Sequence, residues 1–236
     1  MVQSTPEAGQ HLSTPSTIAI DGPAASGKTT VARRLAERLN YLFFDTGVMY
    51  RAVTLAALHL GISIDDEAAV GRLAESLQAD VIPPTVDDGR HYTVLADGQD
   101  VTWAIRSPEV DAAVSPVSAY PYVRHVLTEQ MRRIGRRGRV VMVGRDIGTV
   151  VLPEAELKIY LDATADARAQ RRYLETLERG GDQSAAEIQT ALSQRDRYDS
   201  SRAYAPMRPA ADARIIDTTR LDVDSVVAAI ERLAFA

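Results

Sequence analysis

The sequence predicts an α/β protein built on a five-stranded parallel sheet with helices on both faces. Three observations carry that prediction. Short apolar runs at 17–20, 41–44, 139–143, 157–161 and 213–216 each suit a buried strand. Between most of them lie stretches with apolar residues three and four apart, the period of a helix packed on one face. The first run leads directly into Gly22-Pro23-Ala24-Ala25-Ser26-Gly27-Lys28-Thr29-Thr30, which has the G-x-x-x-x-G-K-[ST] spacing of a phosphate-binding loop, the P-loop. In that motif glycines let the backbone turn with its N–H groups inward, and the following helix adds partial positive charge. Lys28 then reaches the β- and γ-phosphates, and the Thr29 hydroxyl holds Mg²⁺.

The bulk numbers narrow the classes. A chain of 236 residues, 45% of them hydrophobic, can bury one large α/β core with a smaller insertion. A formal net charge of −5 argues against a dedicated nucleic-acid binder, which usually carries a basic surface. The absence of cysteine excludes disulfide and zinc–thiolate chemistry. No run of about 18 apolar residues is present to span a membrane. Residues 1–16 read as a disordered tail, without the basic start and apolar middle of a signal peptide. We therefore expect a cytoplasmic monomer that acts on small molecules, with neither nucleic acid nor membrane as partner. Lysine occurs only at positions 28 and 158. The remaining basic residues are arginines, whose planar guanidinium grips phosphate or carboxylate with two parallel bonds.

Taken in order, the P-loop strand is followed by a helix with Val31, Leu35 and Leu39 on one face. The strand 41–44 ends in Asp45-Thr46-Gly47, polar residues at the edge where open parallel sheets bind ligands. In the next helix Met49, Ala52, Val53, Ala56, Ala57 and Leu60 share a face, with Tyr50 and Arg51 in the first turns. Arg51 there either meets an anion or is simply solvated. From Gly61 onward a short helix at 68–78 and three strand-like pieces (81–84, 91–95, 100–102) separated by Asp-Gly turns predict a small antiparallel sheet with Trp103 packed on it. Ser107-Pro108 opens a helix, and 121–135 forms another, with Arg124 near its start. The strand 139–143 ends in the polar cluster Gly144-Arg145-Asp146, and 157–161 ends at Asp162. The helix 165–179 carries Arg168, Arg171 and Arg172, a surface for a polyanion or a solvated face paired with residues such as Glu175. Gly180-Gly181 interrupts the helices as a hinge or lid tip, and Ser184 with Glu187 forms a capping box for the helix that brings Arg195, Asp199 and Arg202 to one side. A final helix, capped by Asp222, turns Val223, Val226, Val227, Ile230 and Leu233 inward.

The combination IDGPAASGKTT, FDTGVMYRA, GRDIGTVVLPEAELKIYLDA, ARAQRRY and QRDRYDSSRAYAP, in this order, resembles the bacterial cytidylate kinases. The resemblance implies a P-loop NTPase-type core at 17–62 and 123–236, a lid at about 166–184, and an inserted α+β monophosphate-binding region at 63–122. It implies transfer of the γ-phosphoryl group of ATP to CMP or dCMP, with Mg²⁺, in pyrimidine nucleotide metabolism. By position it assigns Thr46, Tyr50, Arg51, Ser115, Arg124, Asp146, Arg195, Asp199 and Arg202 to the acceptor. Arg51, Arg124, Arg145 and Arg195 would meet the acceptor phosphate or the transferring group. Ser115, Asp146, Asp199 and Arg202 would meet cytosine or its ribose. Arg168 and Arg172 would steady phosphate charge on lid closure. One departure stands out: Val143 takes a place that is acidic in many members, which leaves Asp21 or Asp45 to support the metal. Two other readings remain at this point, a kinase for another monophosphate such as UMP and a nucleotide-dependent switch.

Overall fold

The computed structural model describes residues 14–178 and 180–235. β1 (Thr17–Asp21) leads through the glycine-rich loop into α1 (Lys28–Leu39), and β2 (Leu42–Asp45) leads into α2 (Gly47–His59). α3 (Glu67–Ser76), β3 (Ala79–Ile82), β4 (Thr93–Ala96), β5 (Gln99–Asp100) and α4 (Pro108–Val117) follow. α5 (Pro121–Gly135) returns the chain to β6 (Val140–Val143) and β7 (Leu157–Asp162). α6 (Ala165–Glu178), α7 (Ala185–Ser201), β8 (Arg214–Asp217) and α8 (Val223–Ala234) complete it.

β1 is the central strand of a five-stranded sheet in the order β2-β6-β1-β7-β8, with every pairing parallel. The register sets the strand ends level: Val143 lies beside Ile20 and Asp45, Asp21 beside Tyr160, and Asp162 beside Asp217. Polar groups from four strands thus collect at one edge, with Val143 as the apolar exception. Ile18, Ile20, Phe44 and Met142 are fully buried in the sheet, packed in one cluster with Leu35 of α1, Leu127 and Met131 of α5, and Val227 and Ile230 of α8. Each such side chain contributes about 1.5–3 kcal/mol by leaving water.

α2 departs from the one-sided face that its apolar spacing predicts. Val48, Tyr50, Thr54 and Leu55 are buried along with Met49, Ala52, Val53 and Ala57, because α3, α4, β3 and β4 cover the side away from the sheet. Leu60 lies past the helix end and is exposed. The second sheet is antiparallel in the order β3-β4-β5. Asp97 and Gly98, both at positive φ, form the two-residue turn between β4 and β5. β3 stops at Ile82 because Pro83 and Pro84 cannot donate to a ladder. Trp103 is not packed inside as its aromatic character suggests: half of its surface is exposed, and its Nε1 donates to Asp88 at 2.8 Å. Tyr92 takes the interior place instead, its ring 5.5 Å from that of Phe43.

Residues 1–13 of the expected tail lie outside the described residues. Ser16 does not belong to a tail: its N–H donates to Glu156 at 3.0 Å and its carbonyl accepts from Val140 at 3.1 Å. No described helix is long and apolar enough to cross a membrane.

Candidate active site

One side of the cleft is the loop between β1 and α1. Gly22 has φ +145°, and a Cβ there would stand 2.1 Å from the Leu161 carbonyl oxygen, so only glycine lets the chain leave the strand at this point. Gly27, at φ +91°, is the N-cap of α1. The first intrahelical bond runs from Val31 N–H to the Gly27 carbonyl at 3.0 Å. The amides of Lys28, Thr29 and Thr30 therefore precede the helix's own bonding pattern, and no acidic residue occupies the first turn.

Lys28 is buried, and its Nζ donates to the Pro23 carbonyl and, at 3.3 Å, to Ser26 Oγ. Burial above all, then the nearby Arg145 cation, pushes its ammonium well below the ordinary lysine range. Thr218, just past β8, donates its hydroxyl to the Ser26 carbonyl at 3.1 Å and accepts from Arg171 at 3.0 Å. Arg168 does not line the cleft. It is buried behind the loop, donating to the Ala24 carbonyl at 3.2 Å and pairing with Asp196. Its neighbours Arg171 and Arg172 do border the cleft, and Arg172 pairs with Glu175 at 2.8 Å. Ala24 packs with Ala169, Ile188 and Leu192, so the α6–α7 pair rests on the loop itself.

The two acids considered for a metal are placed differently. Both oxygens of Asp21 are engaged, accepting from Ile147 N–H at 2.8 Å and Gly148 N–H at 2.7 Å. Burial, only partly offset by those amides, pushes its carboxyl up to about 6. Asp45 instead faces Thr29, with Oδ2 3.4 Å from the Thr29 hydroxyl, while Oδ1 accepts from Gly47 N–H at 3.0 Å. A hydroxyl and a carboxylate beside a phosphate-binding loop fit magnesium, which takes oxygen ligands and keeps waters and substrate phosphates in its shell. Among the described residues no group of three or more His, Asp or Glu side chains forms a dedicated metal cage. Val143 is buried at the cleft floor, and its carbonyl accepts from the Thr46 hydroxyl at 2.9 Å.

The other side of the cleft is an ion-pair network. Arg124 of α5 donates through Nη2 to Asp146 at 2.9 Å and through Nη1 to the Ser118 carbonyl at 3.2 Å. Its guanidinium lies 5.5 Å from the centre of the Tyr50 ring. Burial disfavours the Arg124 charge, but Tyr50 and Asp146 outweigh it and hold the group above its usual range. Burial likewise pushes the Tyr50 phenol up to about 12. Asp199 sits between two arginines, accepting from Arg145 Nε at 3.0 Å and pairing with Arg202. Arg51 pairs with Asp111. The Arg195 side chain is exposed in the cleft with no hydrogen-bond or ion-pair partner among the described residues, and Ser115 lies exposed on α4. The Nε atoms of Arg124 and Arg202 are buried with no partner among the described residues.

Both sides open on one cleft of about 1370 Å³. Apart from Asp21, Gly22, Pro23 and Arg168, which stand behind the wall, the site residues named from the sequence all border it. The sequence reading missed Asp111, Tyr198, Thr218 and Asp222, which border it too. A signal for Thr218 was present, since it follows the C-terminal end of a core strand. None marked Asp111, which lies near the start of α4.

The chain matches the family model described as cytidylate kinase over residues 18–235. A cytidylate kinase of Chloroflexus aggregans is 56% identical over 202 residues, covering 86% of each chain. One of Roseiflexus castenholzii is 52% identical over 220 residues, covering 93% of each chain. A solved structure of an uncharacterized protein from Eubacterium ventriosum superposes with a TM-score of 0.51 at 12% identity, covering 92% of this chain and 96% of that one, a likeness of fold alone. With a family model spanning nearly the whole chain and relatives more than half identical, this protein belongs to the cytidylate kinase family.

Proposed function

We propose that the protein transfers the γ-phosphoryl group of ATP to CMP or dCMP, giving ADP and CDP or dCDP. The observation that carries the reading is a second, arginine-lined half in the same cleft as the P-loop, with the buried Nε of Arg124 and of Arg202 lacking partners among the described residues. A buried donor left unpaired costs about 1–3 kcal/mol, so these atoms are best understood as contacts for an anionic or carbonyl-bearing ligand. The names of the relatives supply the cytosine. Asp146 supports it chemically: Oδ2 is taken by Arg124, which leaves Oδ1 to accept from the exocyclic amine of cytosine. Uracil presents a carbonyl at that place, which a carboxylate repels.

The loop amides and Lys28 hold the donor polyphosphate, and Arg51 and Arg124 hold the acceptor phosphate across the cleft. That phosphate is largely ionised at neutral pH. Its oxygen attacks the γ-phosphorus in line, the bond between γ-phosphorus and the bridging oxygen breaks, and the electron pair leaves with ADP. No side-chain base is required, so the residues act by positioning and by stabilising charge. Arg145 and Arg195, between the two halves, serve the transferring group. Thr29 and Asp45 would hold Mg²⁺, which when bound would neutralise charge on the donor phosphates. The segment at about 166–184 is the lid, and its closure excludes the water that would otherwise hydrolyse ATP. The reading places the reaction in the cytoplasm with the chain acting as a monomer.

ADP release measured with CMP, dCMP, UMP and AMP tests it. Turnover that requires a monophosphate and favours cytosine is the expected result. ATP turnover independent of any monophosphate would favour the switch reading, and equal turnover of UMP would remove the aspartate–amine argument.

A further inference from the structure

Arg51 is not free to point where it likes. Its Nη1 donates to the carbonyl oxygen of Ile105 at 3.1 Å and also to the carboxylate of Asp111 on α4. Its Nε and Nη2 have no protein partner among the described residues. Those two atoms form one edge of the guanidinium plane, the edge that takes a carboxylate or phosphate with two parallel bonds. Arg51 and Asp111 both border the cleft.

Asp111 is an odd residue for this place. More than half of its side chain is exposed, so no buried charge forces the pairing. A carboxylate on the wall of an anion site repels the ligand unless it acts on something that attracts it. Its position in the first turns of α4 gives it some favourable interaction with the helix end, but that helix already has Ser107 as its N-cap and Glu109 in its first turn. A long arginine side chain loses much rotamer freedom when it grips a ligand. Two acceptors on one nitrogen remove that freedom beforehand and leave the opposite edge unobstructed.

We infer that Asp111 is a positioning residue for the acceptor phosphate: with the Ile105 carbonyl it fixes Arg51 so that the Nε/Nη2 edge is presented to the acceptor half of the cleft. Because Arg51 is on α2 and Asp111 on α4, the same contact sets the inserted region against the core at the point where the acceptor binds. The inference rests on CMP being the acceptor.

The test assays wild type, Asp111→Ala, Asp111→Asn, Arg51→Met and the Arg51→Met/Asp111→Ala double variant, varying CMP at saturating ATP and ATP at saturating CMP. Asp111→Ala is expected to raise the KM for CMP about tenfold, with kcat and the KM for ATP held within about twofold, the signature of lost uniform binding. Asp111→Asn keeps an acceptor oxygen and is expected to recover most of the loss. In the Arg51→Met background, removing Asp111 is expected to change the KM for CMP by less than about twofold, since coupled residues share one effect. A KM for CMP that falls in Asp111→Ala would show a carboxylate competing with the phosphate, and would overturn the inference. An equal loss in both Arg51 backgrounds, or a rise in both KM values with a lowered thermal midpoint, would make Asp111 a structural residue of α4 and overturn it too. Wild-type turnover of CMP with unchanged Asp111→Ala kinetics would overturn this inference alone. Failure of the wild type to phosphorylate CMP would overturn the substrate assignment along with it.

Discussion

In the proposed reaction the two halves of the cleft address the same chemical group, a phosphate, by opposite means. The donor side is one unbroken run, Gly22 to Thr30, which offers main-chain N–H groups at a helix start and in which glycine absorbs the strain of the turn. The acceptor side is assembled from distant parts of the chain: Arg51 from α2, Arg124 from α5, Arg145 and Asp146 from the end of β6, Asp199 and Arg202 from the end of α7. There each of several arginines is set by a carboxylate: Arg51 by Asp111, Arg124 by Asp146, and both Arg145 and Arg202 by Asp199. A main-chain cradle fails when the chain cannot turn. A side-chain cradle fails when an arginine loses its carboxylate, or a carboxylate its arginine.

The largest expected effect tests the donor half. Lys28→Ala removes the one cationic side chain of the loop, and kcat/KM is expected to fall by at least about 10³-fold, in line with deleting a key charge-stabilising donor. The circular dichroism spectrum and thermal midpoint should stay close to wild type, because the turn is set by glycine and not by lysine. Near-normal turnover would show that the amides suffice and would break the contrast from the donor side.

A smaller effect probes the acceptor half, and it should appear in stability as well as in rate. Asp199 is almost completely buried between Arg145 and Arg202. Asp199→Ala leaves two part-buried cations facing each other, and urea unfolding is expected to show a loss of about 3 kcal/mol. An unchanged unfolding midpoint would mean that this wall does not depend on its carboxylates.

The smallest effect concerns the joint between the halves, where Asp21 at the end of the donor strand holds the amides that follow Arg145 and Asp146. Its carboxyl is raised from 3.8 to about 6 in the folded chain. Between those values the folded state holds a proton that the unfolded state has released, so this group's contribution to stability falls as pH rises. From pH 4 to pH 7 the decline amounts to about 2–3 kcal/mol. Asp21→Asn cannot titrate, so the stability gap between wild type and variant should narrow by that amount as pH rises from 4 to 7. A gap that is constant with pH would show that Asp21 is not perturbed by its burial.

What the sequence made legible follows the same division. The sheet could be read because each strand is a contiguous apolar run, and the P-loop because its turn, helix start and lysine lie within one short stretch. The acceptor side was reachable only through separate motifs whose spatial meeting depends on the whole fold. Arg168 illustrates the limit: spacing puts it on a helix face with Arg171 and Arg172, but only packing shows that it turns inward to brace Ala24. Asp21 could be weighed as a metal supporter from its place beside the loop. That its oxygens are already engaged by amides 126 and 127 residues later is a fact of tertiary structure. Two-sided burial of α2 and the outward lie of Trp103 belong to the same class, since the packing of residues between α2 and α5 decides both.

The scarcity of lysine has a practical side. The described chain carries only two side-chain amines, and they are unlike. The Lys158 amine is engaged by Asp212 at 2.7 Å, away from the cleft. Lys28 borders the cleft, and burial above all pushes its ammonium below the ordinary lysine range. An amine-directed label mapped by peptide therefore has only these two side-chain amines to report on besides the α-amine, and a polyphosphate seated in the loop would register as protection at Lys28 with Lys158 unchanged, with no turnover needed to see it.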